Sequence, residues 1–338
     1  CASSSNSGSF AMILSIGIPT YNRARMLEDS LNNVASQITE DLVSKVSIVV
    51  SDNSSTDNTS VIVNKVKQKY SDVEIIYHKH ESNLGYDKNV NSLFSLSLSD
   101  YVMPLGDDDG LEDNAIKKIV KHLEEQKNVS VFYISNNFYD SDLRKKIEIS
   151  DPFFENIGSS RYFKNGHDLF KSSKQIFGGI SGICIKRSNW NKVDSSKYFA
   201  TNWIHVGVVL SIIKDMDTFI IFEPLIKYRM ENKGSRWEEL HTSLGLQRIL
   251  LEFKEVFPDV VRVMYVEHRH QTRLSLLSGD RKQAIRDKIA ILNKMKLSYD
   301  TTSLSFWLVD FMLLFLPVSL TKSLFNTYKK LKIKNIRR

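Results

Sequence analysis

Between residues 12 and 135 short apolar runs rich in β-branched residues alternate with stretches of helical periodicity. The runs are MILSIGI (12–18), VSIVVS (46–51), VEIIYH (73–78), DYVMPLG (100–106) and VSVFYIS (129–135). Between them, 24–37 carries Leu27, Leu31 and Val34 at helical spacing. A second helix follows the turn DNSSTDNT, with Ser55 or Thr56 as its cap, and others are expected near 85–98 and 113–126. Such alternation predicts an α/β fold, a mostly parallel sheet with helices on both faces.

Ligands on such sheets bind at the carboxyl ends of the strands. Here those ends carry Asn22 and Arg23, then Asp52 and Asn53, then Asp107, Asp108 and Asp109, which points to one shared site. Three adjacent carboxylates repel one another and call for positive charge. A hard divalent cation, Mg²⁺ or Mn²⁺, that bridges to phosphate oxygens meets that need and helps a diphosphate to depart. A solvated acidic turn that caps the next helix is the alternative.

Residues 140–200 are less regular, with GGISG at 178–182, and read as strands and loops on an acceptor side. From about 203 the signal reads as helical with a break at Pro224, the expected helices covering 203–215, 240–256 and 259–277. The net charge of +7 is accounted for by seven basic residues within 322–338, a stretch without acids. They follow an apolar stretch interrupted by Asp310 and Pro317, so 304–338 reads as an amphipathic, membrane-associating end. A C-terminal helical pair packed on the body, with a solvated charged end, is the plainer reading. Basic residues confined to a terminus and mixed with Leu and Ile suit lipid better than nucleic acid. No apolar run reaches 18 residues, so a spanning helix is not expected. The two cysteines, Cys1 and Cys184, give no disulfide framework and fit a reducing cytoplasm. Residues 1–11 read as a cloning scar ahead of a start at Met12.

Four ordered motifs resemble those of family 2 glycosyltransferases with the GT-A fold. PTYNR resembles the family's P-x-Y-N, and Asp52, Asn53, Ser55, Asp57 and Thr59 resemble its D-[DN]-x-S-x-D-x-T. Asn83, Gly85 and Asn89 resemble N-x-G…N, while Leu105–Asp109 resembles L-D-x-D-D with Gly106 in place of the first acid. The resemblance implies a nucleotide-sugar donor and a Mn²⁺ or Mg²⁺ cofactor. Pro19, Tyr21 and Arg23 would shape the base and ribose pocket, Asp52 and Asn53 would bind the nucleoside, and Asn83 and Asn89 would face the nucleotide. Asp107 would border the donor, Asp108 would be the main metal ligand, and Asp109 would be a second metal ligand and a catalytic residue close to the donor sugar.

Where relatives carry a carboxylate base, this chain reads Asn202–Val206, which makes His205 the candidate base or a positioning residue. Tyr228–Ser235 resembles Y-R-x-H-x-x-S, with Arg229 meeting phosphate and Glu231 where others have His. Trp190, Trp203 and Trp237 read as sugar-stacking faces or as core. Within the family the acidic motif, GGISG and NWIHVG are most similar to abequosyltransferase-type enzymes of bacterial surface-polysaccharide (O-antigen or capsule) synthesis. This implies a polyprenyl-diphosphate-linked acceptor and a cytoplasmic protein peripheral to the membrane. The expected division is 12–225 as the catalytic unit (12–135 nucleotide half, 136–225 acceptor half) and 226–338 as a helical C-terminal extension. The rivals are a sugar nucleotidyltransferase, which would carry a glycine-rich phosphate loop where PTYNR stands, and a non-catalytic membrane-binding module. A dinucleotide enzyme would need G-x-G-x-x-G, which is absent.

Overall fold

All seven residues of Leu14–Thr20 (β1) are buried, as expected of an apolar strand covered on both faces. It feeds α1 (Ala24–Ala35), which turns Leu27, Leu31 and Val34 inward on one stripe. There follow β2 (Val46–Asp52), α2 (Thr59–Lys69), β3 (Ile75–Lys79), α3 (Tyr86–Leu96) and β4 (Tyr101–Pro104). The acidic triplet leads to β5 (Gly110–Leu111), α4 (Ala115–Glu125) and β6 (Val131–Tyr139). The next elements are β7 (Lys146–Ile147), α5 (Pro152–Ile157), β8 (Arg161–Phe163), α6 (Gly166–Ser173) and β9 (Ile183–Lys186). Last come α7 (Arg187–Trp190), α8 (Ile204–Ile213), β10 (Thr218–Arg229) and α9 (Arg236–Glu252). The structure is a computed structural model that describes residues 12–230 and 236–265, with positions 268 and 320.

One ten-stranded sheet runs β3-β2-β1-β4-β9-β6-β10-β5, with β7 on β6 and β8 on β10. β1 is parallel to β2 and β4, β2 to β3, and β6 to β10, while β9 is antiparallel to its neighbours. The chain leaves β1 toward β2 and β3 and returns to β4 on the other side. Strand order therefore reverses at the carboxyl ends of β1 and β4, where open α/β sheets bind ligands.

β10 corrects the expectation of helix beyond residue 203. Its 12 residues, rich in Ile, Phe and Tyr, form a strand inside the sheet. Pro224 does not break a helix; it lies in a register shift between Ile221 and Ile226, the kind of bulge that admits proline to a sheet.

The chain divides into two compact units, Cys1–Lys197 with Ile204–Glu231, and Tyr198–Trp203 with Asn232–Arg338. The first holds the whole sheet. In the second, α9 buries Leu244, Leu246, Ile249 and Leu250, and residues 258–265 are also helical. No helix among the described residues is long and apolar enough to cross a membrane. The expected scar (1–11), Glu231, the Trp237 side chain and, apart from position 320, the amphipathic end (304–338) lie outside the described residues.

Candidate active site

The loops after β1 and β2 are laced together by their own polar side chains. Asn22, in the left-handed region at φ 53, donates its N–H to Ser55 Oγ at 2.9 Å and accepts from Thr56 N at 2.8 Å. Asp57 Oδ2 accepts from Ala24 N at 3.0 Å, which caps α1, and Oδ1 accepts from the Thr59 hydroxyl at 2.6 Å. Asp52 is wholly buried behind this lacing. Its Oδ1 accepts from Ser55 N at 2.8 Å and its Oδ2 from the Tyr77 hydroxyl at 2.7 Å, so it braces the loop and does not line the cleft. Burial first, and Asp52 second, hold the Tyr77 phenol above its ordinary range.

In front of that brace lies a cleft of about 440 Å³ at the reversal of strand order. It brings together Pro19, Tyr21, Arg23, Asn53, Asn83, Asn89 and Asp107, seven of the residues expected from sequence, and adds Thr20, Gly85 and Tyr86. Asn53 Nδ2 donates to Asn83 Oδ1 at 2.9 Å, and Asn53 Oδ1 accepts from Leu84 N at 2.7 Å, so the two amides are fixed as a pair. Gly85, at φ 83, turns the chain into α3 in a conformation that other residues rarely adopt. Tyr21 and Tyr86 line the wall with partly exposed rings, suited to a flat heterocycle.

The acidic triplet closes one end through Asp107. Asp107 Oδ2 accepts from the Thr20 hydroxyl at 2.7 Å, and Oδ1 lies 3.2 Å from Arg23 Nη1. The same nitrogen lies 2.9 Å from Asp108 Oδ2. Asp109 Oδ2 accepts from Ser181 Oγ at 2.5 Å and its Oδ1 from Arg229 N at 2.9 Å. Burial pushes Asp107 up to about 6, against the pull of Arg23, and burial with the neighbouring Asp108 pushes Asp109 up to about 7. A Cβ at Gly106 would come within 2.9 Å of carboxylate oxygens of Asp108 and Asp109, which would have to shift to admit it. The glycine that replaces the family's first acid thus lets the two remaining carboxylates fold back.

Sequence reasoning missed Ser181 as a site residue, although it singled out GGISG. Its buried hydroxyl donates to Asp109 and accepts from Gly106 N at 2.8 Å. Asp87 was also missed; it caps α8 through Ile204 N at 3.1 Å.

Like Asp52, Arg229 and His205 do not line the cleft. Arg229 lies on the other side of the triplet, where Nε donates to Asp108 O at 2.5 Å and Nη1 to Ser141 O. It lines a separate cleft with Arg25 and Arg144. His205 is buried on α8, its Nε2 3.0 Å from Gly178 O, and burial pushes its imidazole down to about 4. Trp190 is core, stacked on Phe94 at 3.6 Å. Trp203 bonds Thr242 O through Nε1 at 2.7 Å, within the second unit.

The three carboxylates differ in what they can offer a metal ion. Among the described residues no three His, Cys, Asp or Glu side chains converge as a cage. Both oxygens of Asp107 and of Asp109 have hydrogen-bond partners, whereas Asp108 Oδ1 accepts none among the described residues and its side chain is 25% exposed. One partly exposed carboxylate next to Asp107, which lines the cleft, fits Mg²⁺ or Mn²⁺ completed by substrate oxygens and water, as such ions are commonly held.

A profile of Glycosyl transferase family 2 matches residues 15–187. The chain is 28% identical over 254 residues to abequosyltransferase RfbV of Salmonella typhimurium, a match that covers 72% of each protein. It is 27% identical over 112 residues to the GalNAc(5)-diNAcBac-PP-undecaprenol beta-1,3-glucosyltransferase of Campylobacter jejuni, over 33% of this chain and 35% of that one. The solved mannosyltransferase PcManGT of Pyrobaculum calidifontis, in complex with GDP-Man and Mn²⁺, shares the fold at TM-score 0.54 and 13% identity, over 94% of this chain and 88% of that one. The sheet, the motifs at its strand ends and the profile agree: this chain belongs to glycosyl transferase family 2, with the GT-A fold, and is a glycosyltransferase.

Proposed function

We propose that the enzyme moves a sugar from a nucleotide-sugar donor onto an oligosaccharide linked to polyprenyl diphosphate, in the synthesis of a bacterial O-antigen or capsule. The observation that carries the reading is the cleft at the strand-order reversal, flanked by tyrosines and paired amides and closed by the acidic triplet. The similarity to an abequosyltransferase supports the sugar-transfer setting, and the undecaprenol-linked substrate in the name of the Campylobacter relative supports the acceptor class.

In this reading Asn53 and Asn83 offer amide groups to the nucleoside, with Tyr21 and Tyr86 beside the base. Asn89, buried against Ser51, supports the floor from α3. Arg23 places positive charge at the diphosphate end. Asp108 would hold the divalent ion, and Asp109, pinned by Ser181 and Arg229 N, would fix the sugar end of the site. When bound, the ion supplies Lewis-acid stabilisation of the departing diphosphate. His205 acts through Gly178 on the GGISG segment, a positioning role that suits an imidazole kept neutral by burial.

In this reading the catalytic unit runs from residue 12 through the end of β10, past the expected boundary at 225, because Arg229 N holds Asp109. The chain beyond it would place the enzyme on the cytoplasmic face of the membrane through the basic amphipathic end at 304–338. Lysines and arginines near anionic lipid contribute about 1 kcal/mol each.

The test is a thermal-shift panel of UDP-, GDP-, CDP- and dTDP-nucleotides with and without Mn²⁺, because a ligand bound only by the native state raises Tm. A Mn²⁺-dependent rise with one base is expected. No rise with any nucleotide would overturn the donor assignment.

A further inference from the structure

A third cleft, of about 400 Å³, opens where β10 bulges past β6. It shares no lining residue with the nucleotide cleft. Asn136, on β6, lies in its floor, 8% exposed. Neither Nδ2 nor Oδ1 of Asn136 has a hydrogen-bond partner among the described residues. A buried side-chain amide left unpaired at both atoms weakens the fold, and such groups are few in native proteins.

The rest of the lining decides what kind of molecule would pair with it. Glu148, Asp151 and Glu155 outnumber the single cation Lys146, so the cleft disfavours a phosphate, a diphosphate or a nucleotide. Those carboxylates do not converge as a metal cage. Phe222, half-buried on the bulge, supplies an apolar wall. An amide that can both donate and accept, carboxylate acceptors and an aromatic surface are what the hydroxyls and C–H face of a pyranose require.

We propose that this cleft binds a neutral sugar ring of the acceptor, a ring other than the one being glycosylated, with the Asn136 amide bonded to its hydroxyls. The inference rests on the glycosyltransferase reading for the identity of the ring as part of the acceptor. It adds a second saccharide subsite on the bulge of β10. Such a site would let the enzyme read the identity of a sugar it does not modify.

The test is saturation-transfer NMR on the full chain with methyl glycosides of glucose, galactose, mannose and N-acetylglucosamine, each with and without a mixture of UDP, GDP, CDP and dTDP. At least one glycoside should give transfer that the nucleotides do not displace. N136L, close in shape and without the unpaired amide, should weaken that binding at least about tenfold, as losing buried hydrogen bonds to a ligand does. It should also raise Tm by roughly 2–4 °C, because a buried unpaired group is removed. S150W, at an exposed lining position, should give the same binding loss by filling the cleft, and serves if N136L does not fold.

Absence of transfer with every glycoside, transfer displaced by nucleotide, transfer that the variants leave intact, or a lower Tm in N136L overturns the proposal. A nucleotide-induced Tm rise without glycoside transfer removes this cleft alone. Glycoside transfer without any nucleotide effect removes the donor assignment and leaves the cleft.

Discussion

Arg23 and Asp108 meet through Nη1 and Oδ2 at 2.9 Å, and the same nitrogen lies 3.2 Å from Asp107 Oδ1. Part of the positive charge that three consecutive acids demand is therefore built into the chain, three residues beyond the end of β1. D108N should lower kcat/KM by about 100-fold or more, in line with the loss of one aligned charge in an active site. Its Tm should stay close to that of the parent, because the side chain is partly exposed. Near-normal turnover would remove Asp108 as metal ligand.

R23K keeps the charge but loses the planar fork, and should cost roughly tenfold in kcat/KM, with R23A worse. The accompanying signature is a shift in the Mn²⁺ concentration for half-maximal activity, read by titration. Equal Mn²⁺ curves for parent and variants would mean that Arg23 does not share the site with the ion.

S181A leaves Asp109 Oδ2 and the Gly106 N–H without their buried partner. The expected loss is about 1–3 kcal/mol of stability, read from denaturant midpoints, with activity falling as well. Unchanged stability would mean that the triplet is held by the strands alone.

The His205 imidazole sits at about 4 because burial disfavours its charged form, whereas an exposed histidine titrates near 6.5. The unfolded chain therefore takes up the proton more readily. This contribution is fully present above about 6.5, declines as pH falls toward 4, and levels off below. It amounts to at most about 3 kcal/mol. H205Q should remove that slope from a plot of unfolding free energy against pH. In the positioning role, H205Q should also leave the acidic limb of the kcat profile in place; loss of that limb would restore the imidazole as base.

Deleting 304–338 should reduce sedimentation with anionic liposomes and leave nucleotide-induced thermal shifts unchanged. Equal sedimentation of the truncated and full chains would remove the membrane claim.

The strands and helices from β1 to α4 were legible because each is a run of one period bounded by turn residues. β10 was not. Its Phe222-Glu223-Pro224 interruption reads as a helix break in one dimension, and only the register against β6 shows a bulge. In the site, the residues of the cleft wall could be read from motif and strand end together. That Asp52 sits behind the cleft wall was not legible, because the partner of its Oδ2 is Tyr77, 25 positions away. Ser181 was passed over because its partner Asp109 lies 72 positions earlier. No spacing rule announces a pair of that separation.

Asp109 takes the N–H of Arg229, 120 positions further along, and among the described residues β5 finds its only sheet partner in β10. A chain emerging from the ribosome presents the loops of the cleft early, yet Asp109 lacks its Arg229 partner until β10 arrives. Because such long-range pairings form late, translation must pass residue 229 before Asp109 gains the last of these partners, and a nascent chain cut short of that point lacks it.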